Sequence, residues 1–350
     1  MKTLYIFLLL LCFTCPLIAG AASLRFTDCT GRVIELARPP QRVFIAGKAG
    51  FMITNAVFLL SNAADKLVSY SKSFQYQDAE EFYRLVDDDY EQRRFTDHLT
   101  GIEEIAALKP DLVLARDFER SRLERGFDQL GIPVAFFNLE APEAYYFDLK
   151  NLGIIFDEKA RAEHIVNFYR SWHSRIKAQV ENAKHKPTVL LLFYTERGGA
   201  VSFSSPPRHW LQAKMIADAG GIPVWRDMPV SQGWQQISFE QIAAWNPDYI
   251  MITSYYTDLN KAVEELKSSS MWQQLKAVKN EQLLAFPKDY LSWDQPDSRW
   301  ILGQAWIASV LNPGSTKLPS LMQKLFVEFF ALYGIAAETS KSIKVDGDYF

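Results

Sequence analysis

Glu103-Glu104-Ile105-Ala106-Ala107-Leu108-Lys109-Pro110-Asp111 runs directly into the apolar stretch Leu112-Val113-Leu114-Ala115. Far downstream, Glu240-Gln241-Ile242-Ala243-Ala244-Trp245-Asn246-Pro247-Asp248 runs into Tyr249-Ile250-Met251-Ile252-Thr253. Six of the nine positions are identical. Each copy reads as a short helix that packs Ile and Ala, ended by a proline that it cannot comfortably pass through. An apolar strand follows at once. A helix–proline–strand unit repeated at this distance predicts a duplicated lobe.

Other strands of the same kind surround both copies. Arg42–Ala46, Leu67–Tyr70, Val134–Asn138, Val189–Tyr194 and Leu283–Phe286 are short and continuously apolar, as in strands covered on both faces of a parallel sheet. Leu24–Thr27 and Arg32–Leu36 flank Asp28-Cys29-Thr30-Gly31 and read as a hairpin. Residues 154–186 hold neither Gly nor Pro, and Gly153 and Pro187 bracket them. Asp157 is an expected N-cap. Ile165, Phe168, Tyr169, Trp172, Ile176 and Val180 recur at helical spacing, opposite Glu163, Arg170, Arg175 and Lys177. This predicts an α/β fold of two Rossmann-like lobes with mostly parallel sheets, at 22–156 and 187–350, joined by one long helix at 157–186.

The 350 residues suit two domains. The net charge of −3 and the lack of a basic block argue against a nucleic-acid partner. Residues 1–21 read as an export signal: Lys2, an apolar run over Leu4–Ile18, then Ala19-Gly20-Ala21. The expected location is the periplasm. Cys12 and Cys15 fall inside that signal, so the mature chain keeps only Cys29 and no internal disulfide.

Further stretches carry a family resemblance. They are Phe26–Leu36, Pro39–Val43, Ile102–Leu114, Leu130–Val134, Ala219–Gly221, Ser238–Ile242, Trp272–Asn280 and Trp306–Pro313. In this order the chain resembles the substrate-binding proteins of ABC importers in the helical-backbone class, which take up ferric siderophores, haem, cobalamin and some oxyanions. The resemblance implies two lobes joined by a rigid helix, with ligand in the cleft between them. It also implies an inner-membrane permease and its ATPase as partners of a monomer. In such proteins an acidic residue on each lobe meets an arginine pocket on the importer, and Glu103 and Glu240 stand at that place.

In open α/β sheets, ligands sit beyond the carboxyl ends of the strands. Lys48, Lys72 and Arg116 follow strands of the first lobe. Arg197, Tyr255 and Tyr256 follow strands of the second, and Arg299 ends the segment Leu291–Arg299. A cationic cleft favours an anionic ligand. Trp210, Trp225, Trp234 and Trp293 all fall between periodic elements, and two of the four are expected to cap apolar edges of the lobe. Flat aromatic walls favour an organic chelate over a bare ion. The expected binding set is Lys48, Lys72, Arg116, Arg197, His209, Trp210, Tyr255, Tyr256, Trp293 and Arg299. No protein-held cofactor or metal is expected, because iron or another metal would arrive inside its chelator.

No nucleophile elbow, phosphate loop or dinucleotide fingerprint is present, so the chain reads as a non-enzyme. The expected ligand is a ferric siderophore or haem-like complex. The alternatives are molybdate, tungstate or cobalamin on the same fold, or an exported enzyme using Asp294 or Glu196 as a base.

Overall fold

The computed structural model describes residues 23–61, 63–72, 79–181, 183 and 185–347. The expected export signal lies outside them. The chain opens with the antiparallel hairpin β1 (Leu24–Thr27) and β2 (Val33–Leu36). Asp28 organises its turn by accepting from the Thr30 and Arg32 N–H groups, and its second oxygen accepts from Phe136 N.

The first lobe then alternates strand and helix: β3 (Val43–Ala46), α1 (Gly50–Val57), β4 (Leu67–Ser71), α2 (Ala79–Val86), β5 (Phe95–Thr96), α3 (Ile102–Ala107), β6 (Leu112–Arg116), α4 (Arg120–Gln129), β7 (Val134–Phe137) and α5 (Pro142–Ile155). Its sheet has the order β5-β4-β3-β6-β7, and every pairing is parallel. Every residue of β3, β6 and β7 is buried. The continuous apolar runs are therefore strands covered on both faces.

The connecting helix α6 spans Lys159–Val180, 22 residues and so about 33 Å. It is shorter than the expected 157–186. Asp157 has a positive φ of 60° and does not cap it; Glu158 stands at that position. The predicted inner face holds for Ile165, Tyr169, Trp172, Ile176 and Val180, with Phe168 half-buried.

The second lobe contains β8 (Thr188–Arg197), β9 (Ala200–Ser205), α7 (Leu211–Asp218), β10 (Ile222–Pro223), β11 (Gln235–Ile237), α8 (Phe239–Trp245), β12 (Tyr249–Thr253), α9 (Leu259–Ser268), α10 (Lys276–Lys279) and β13 (Leu283–Ala285). Then follow α11 (Trp300–Leu311), α12 (Leu318–Ala331) and α13 (Ala337–Lys341). The sheet order is β11-β9-β8-β12-β13, with β10 also beside β8. β8 pairs in parallel with β12, but antiparallel with β9 through the turn Gly198-Gly199. Both glycines have positive φ, 58° and 80°, as the tight hairpin turn requires.

The repeat is real in three dimensions. α3 leads into β6 and α8 into β12, and each strand lies beside the first long strand of its own lobe. The aspartate after each proline has the same task. Asp111 accepts from the N–H groups of Gln41 and Arg42, just before β3. Asp248 accepts from the N–H and hydroxyl of Thr188, at the start of β8, and from Lys276. Partial burial acts against the Asp248 charge, but these donors outweigh it and hold the carboxyl at about 2 instead of 3.8. A depressed carboxyl contributes stability above its unfolded value and loses it as pH falls toward the folded one. Asp248→Asn is expected to cost about 1.5–3 kcal/mol at pH 7, the scale of hydrogen bonds to a charged group. Urea titrations of both proteins should show that gap narrowing steadily below pH 4. A gap independent of pH would contradict the assignment.

The C-terminal segment is not confined to the second lobe. Tyr333, just after α12, packs edge-on against Phe82 of α2, with ring centroids 5.1 Å apart. Its hydroxyl donates to the Asn55 carbonyl at 3.1 Å. Among the described residues, no helix is long and apolar enough to cross a membrane.

Candidate functional site

Between the lobes lies a cavity of about 460 Å³, walled by the loops that follow strands. The first lobe supplies Lys48 to Met52, Lys72, His98, Arg116, Phe118 and Glu140; the second supplies Trp210, Gln212, Gln232, Trp234, Tyr255, Tyr256, Gln295 and Pro296. The two walls differ in chemistry. Among the described lining residues, every charged group is on the first, while the second offers aromatic rings and amides.

Local backbone explains how the first wall presents its cations. Gly47, with φ 81°, turns the chain after β3, and a Cβ there would stand 3.0 Å from Glu119 Cγ. Ala49 is also left-handed, at φ 57°. Lys48 sits exposed between them, its N–H donating to Glu119 Oε1 at 3.2 Å. Lys72 follows β4, with its N–H tied to the Thr96 carbonyl. His98 pairs with Asp97 at 3.0 Å.

Arg116 ends β6 and is 1% exposed. Its Nη2 donates to the Asn138 carbonyl at 2.6 Å and to Glu140 Oε1 at 2.7 Å, and its guanidinium lies 5.4 Å from the Phe118 ring centre. Burial pushes the Glu140 carboxyl up, and Arg116 acts in the opposite direction.

On the second wall Trp210 and Trp234 meet edge-to-face, 6.0 Å between centroids, and Phe193 bridges Trp234 and Tyr255. Tyr255 donates to Asp294 at 2.9 Å, and Thr253 and Ser292 also donate to that carboxylate. Burial raises the Asp294 carboxyl, while these hydrogen bonds oppose the shift. Asp294 is fully buried as an acceptor beneath the wall, where it sets the Tyr255 ring.

Of the expected binding residues, Lys48, Lys72, Arg116, Trp210, Tyr255 and Tyr256 line this cavity. Four do not. Arg197 is at the exposed end of β8, because that strand continues past Tyr194 into the β9 hairpin. His209 belongs to a shallow depression with Arg208 and Arg226. Trp293 is wholly buried and donates to Asp289 at 3.2 Å. Arg299 is wholly buried too, bonded to Asp289 Oδ1 at 2.6 Å and stacked over Phe82 at 4.2 Å. The segment 288–299 dives beneath the cavity, so its last residue joins the core. Trp225 is buried, leaving Trp210 and Trp234 as the two cleft tryptophans of the four.

Ala49, Gly50, Phe51, Met52, His98, Phe118, Glu140, Gln212, Gln232, Trp234, Gln295 and Pro296 complete the described lining. Glu140 lies three residues past β7, so a search of the loops beyond strand ends reaches it once carboxylates are counted with cations. Neutral amides such as Gln212 and Gln295 carry no comparable signal. Glu103 and Glu240 occupy matching second positions of α3 and α8, both exposed. Among the described residues, no cluster of three or more His, Cys, Asp or Glu is placed to hold a metal.

Two α/β lobes with a cleft at their strand ends have the architecture of a solute-binding body. Residues 57–290 match the family described as periplasmic binding protein, and the chain belongs to it. The molybdate-binding protein MolA of Haemophilus influenzae is 23% identical over 247 residues, 61% of this chain and 64% of that protein. A vitamin B12-binding protein of Salmonella paratyphi A is 27% identical over 176 residues, 50% of this chain and 61% of that one. The chain thus spans less than two thirds of the length of these curated relatives. The fold is also that of molybdate-bound MolA (TM-score 0.72, 18% identity, 92% of this chain and 99% of that one). It is shared with Helicobacter pylori CeuE in a Ni-His complex (TM-score 0.73, 18% identity, 92% and 100%). Among the structural neighbours, MolA and a protein of Sulfurospirillum deleyianum are described as the solute-binding proteins of ABC transporters.

Proposed function

We propose that the protein captures an anionic organic metal chelate, of the ferric siderophore or haem-like class, in the periplasm and delivers it to an inner-membrane ABC permease. The observation that carries this is the division of the cleft. Lys48 and Lys72 present positive charge from one wall, while Trp210, Trp234, Tyr255 and Tyr256 face them from the other. Neither lysine ammonium is held in an ion pair among the described residues. A cavity of about 460 Å³ is in the range of organic-ligand sites. A tetrahedral oxyanion would fill a small part of it and leave the aromatic wall unused. Export through residues 1–21 belongs to the same reading, as does a metal supplied by the ligand.

Quenching of tryptophan fluorescence tests it, with ferric hydroxamate and catecholate chelates, haem, cobalamin and molybdate as titrants. Saturable quenching by one chelate class is the expected result. Saturation by molybdate alone would overturn the reading. Trp234→Ala is expected to weaken chelate binding by about 1–2 kcal/mol, roughly five- to thirty-fold in Kd. Lys48→Ala with Lys72→Ala should slow association and flatten its salt dependence. Unchanged chelate affinity and association kinetics across these variants would mean that the ligand sits elsewhere.

A further inference from the structure

At the floor of the cleft, the most deeply buried cation of the wall is already matched by an internal anion. Arg116 Nη2 reaches Glu140 Oε1 at 2.7 Å, and the Glu140 side chain is only 16% exposed. The first turn of α7, from the opposite lobe, has no side-chain cap at Trp210. Its Leu211 N–H stands near enough to favour the Glu140 charge. Among the described residues, neither Glu140 Oε2 nor Arg116 Nε makes a hydrogen bond. A buried guanidinium and a helix N-terminus converging from two lobes are the elements of a small-anion site.

We propose that Glu140 is a specificity-determining residue whose carboxylate occupies this position and so excludes small inorganic oxyanions from the cleft. The inference rests on the organic-chelate reading and deepens it. An admitted ligand must leave the Arg116–Glu140 pair in place and bring its negative charge to Lys48 and Lys72.

The loop is built to hold the carboxylate there. Leu139, a non-glycine residue, is left-handed at φ 61°. The N–H groups of Asn138 and Leu139 both donate to the buried Asp148 Oδ2, at 2.8 and 2.9 Å. Glu140 N donates to Asn138 Oδ1 at 3.0 Å, and Asn138 Nδ2 donates to Asp117 at 2.6 Å. A local conformation of this kind persists only where its surroundings over-determine it. Among the described residues that line the cavity, Glu140 is the one carboxylate, so no other acid of the lining pairs with Arg116.

Isothermal titration of the full mature protein with molybdate, and separately with tungstate, tests the proposal. Glu140→Ala is expected to bind these oxyanions about tenfold or more tighter than the parent. Adding Arg116→Gln should abolish the gain. Glu140→Asp, which keeps the charge, should gain less than Glu140→Ala. If Glu140→Ala does not fold, Glu140→Gln removes the charge at nearly constant volume, and a rise in Tm with molybdate reads the gain. A folded neutral variant that shows no gain over the parent overturns the inference, as does a parent that already binds molybdate as tightly as the variant. Chelate binding by the parent reports on the functional reading separately. A parent that binds no chelate, with a Glu140→Ala gain, leaves Glu140 an excluder in a cleft of different purpose.

Discussion

Replacing Arg299 with alanine is expected to destabilise the protein by about 3–5 kcal/mol, the cost of removing one partner from a buried charge cluster. Arg299 and Asp289 are both 0% exposed in their side chains, and they meet at 2.6 Å. Arg299 N also donates to Asp297 Oδ1 at 2.7 Å. The guanidinium lies over Phe82 and within 5.8 Å of the Phe329 and Phe330 ring centres, so its loss empties a packed site as well. Burial pushes the Asp297 carboxyl up to about 6, with Arg299 acting to lower it. Without Arg299 that carboxyl must rise further. A carboxyl raised in the folded state favours folding at acid pH and loses that advantage as pH rises through its folded value. The deficit of Arg299→Ala should therefore be larger at pH 8 than at pH 5. Urea midpoints at the two pH values check this, and an equal deficit at both would dissociate Asp297 from the effect. Arg299→Lys should fall between parent and alanine, because it keeps the charge but loses the planar stack on Phe82.

The second large effect concerns transport. Glu103→Ala combined with Glu240→Ala is expected to abolish ligand-stimulated uptake through the cognate importer, with soluble affinity and Tm nearly unchanged. Both carboxylates are exposed at equivalent points of the duplicated unit, one per lobe, and neither lines the cleft. Two charges so placed suit bidentate recognition by arginines on a partner that reads both lobes at once. A purely local role near a helix N-terminus contributes only about 0.3–1 kcal/mol to stability and would leave uptake intact. Reconstituted transport in vesicles separates the two, and full uptake by the double variant would end the docking assignment.

Burial decides which parts of the fold are legible in the sequence. β3, β6, β7, β8, β12 and β13 can be read because strands covered on both sides are continuously apolar. β9 and β11 escape because Ala200–Ser205 and Gln235–Ile237 are short, polar and mostly outside the core. The Gly198-Gly199 pair that joins β8 to β9 is a readable turn signal, and it accounts for Arg197 lying away from the cavity. Lys48, Lys72 and Arg116 are found by position alone, since a parallel strand delivers the chain to one edge. The path of residues 288–299 is not legible, because it depends on Phe82, Phe329 and Phe330, which are distant in sequence and enclose the guanidinium.

Asn55 of the first lobe donates to Asp297 of the second at 3.1 Å, and Arg161 reaches the Leu59 and Leu332 carbonyls. Together with a connecting helix free of Gly and Pro, these bonds stitch the rear of the cleft. Spreading the lobes means breaking the buried Asn55–Asp297 bond, whose donor and acceptor would have no substitute until water enters. A mouth held in shape before the ligand arrives loses little entropy on capture, so differences in affinity will appear chiefly as differences in dwell time. That dwell time is then coupled to residues such as Asn55 and Arg161, neither of which lines the cavity.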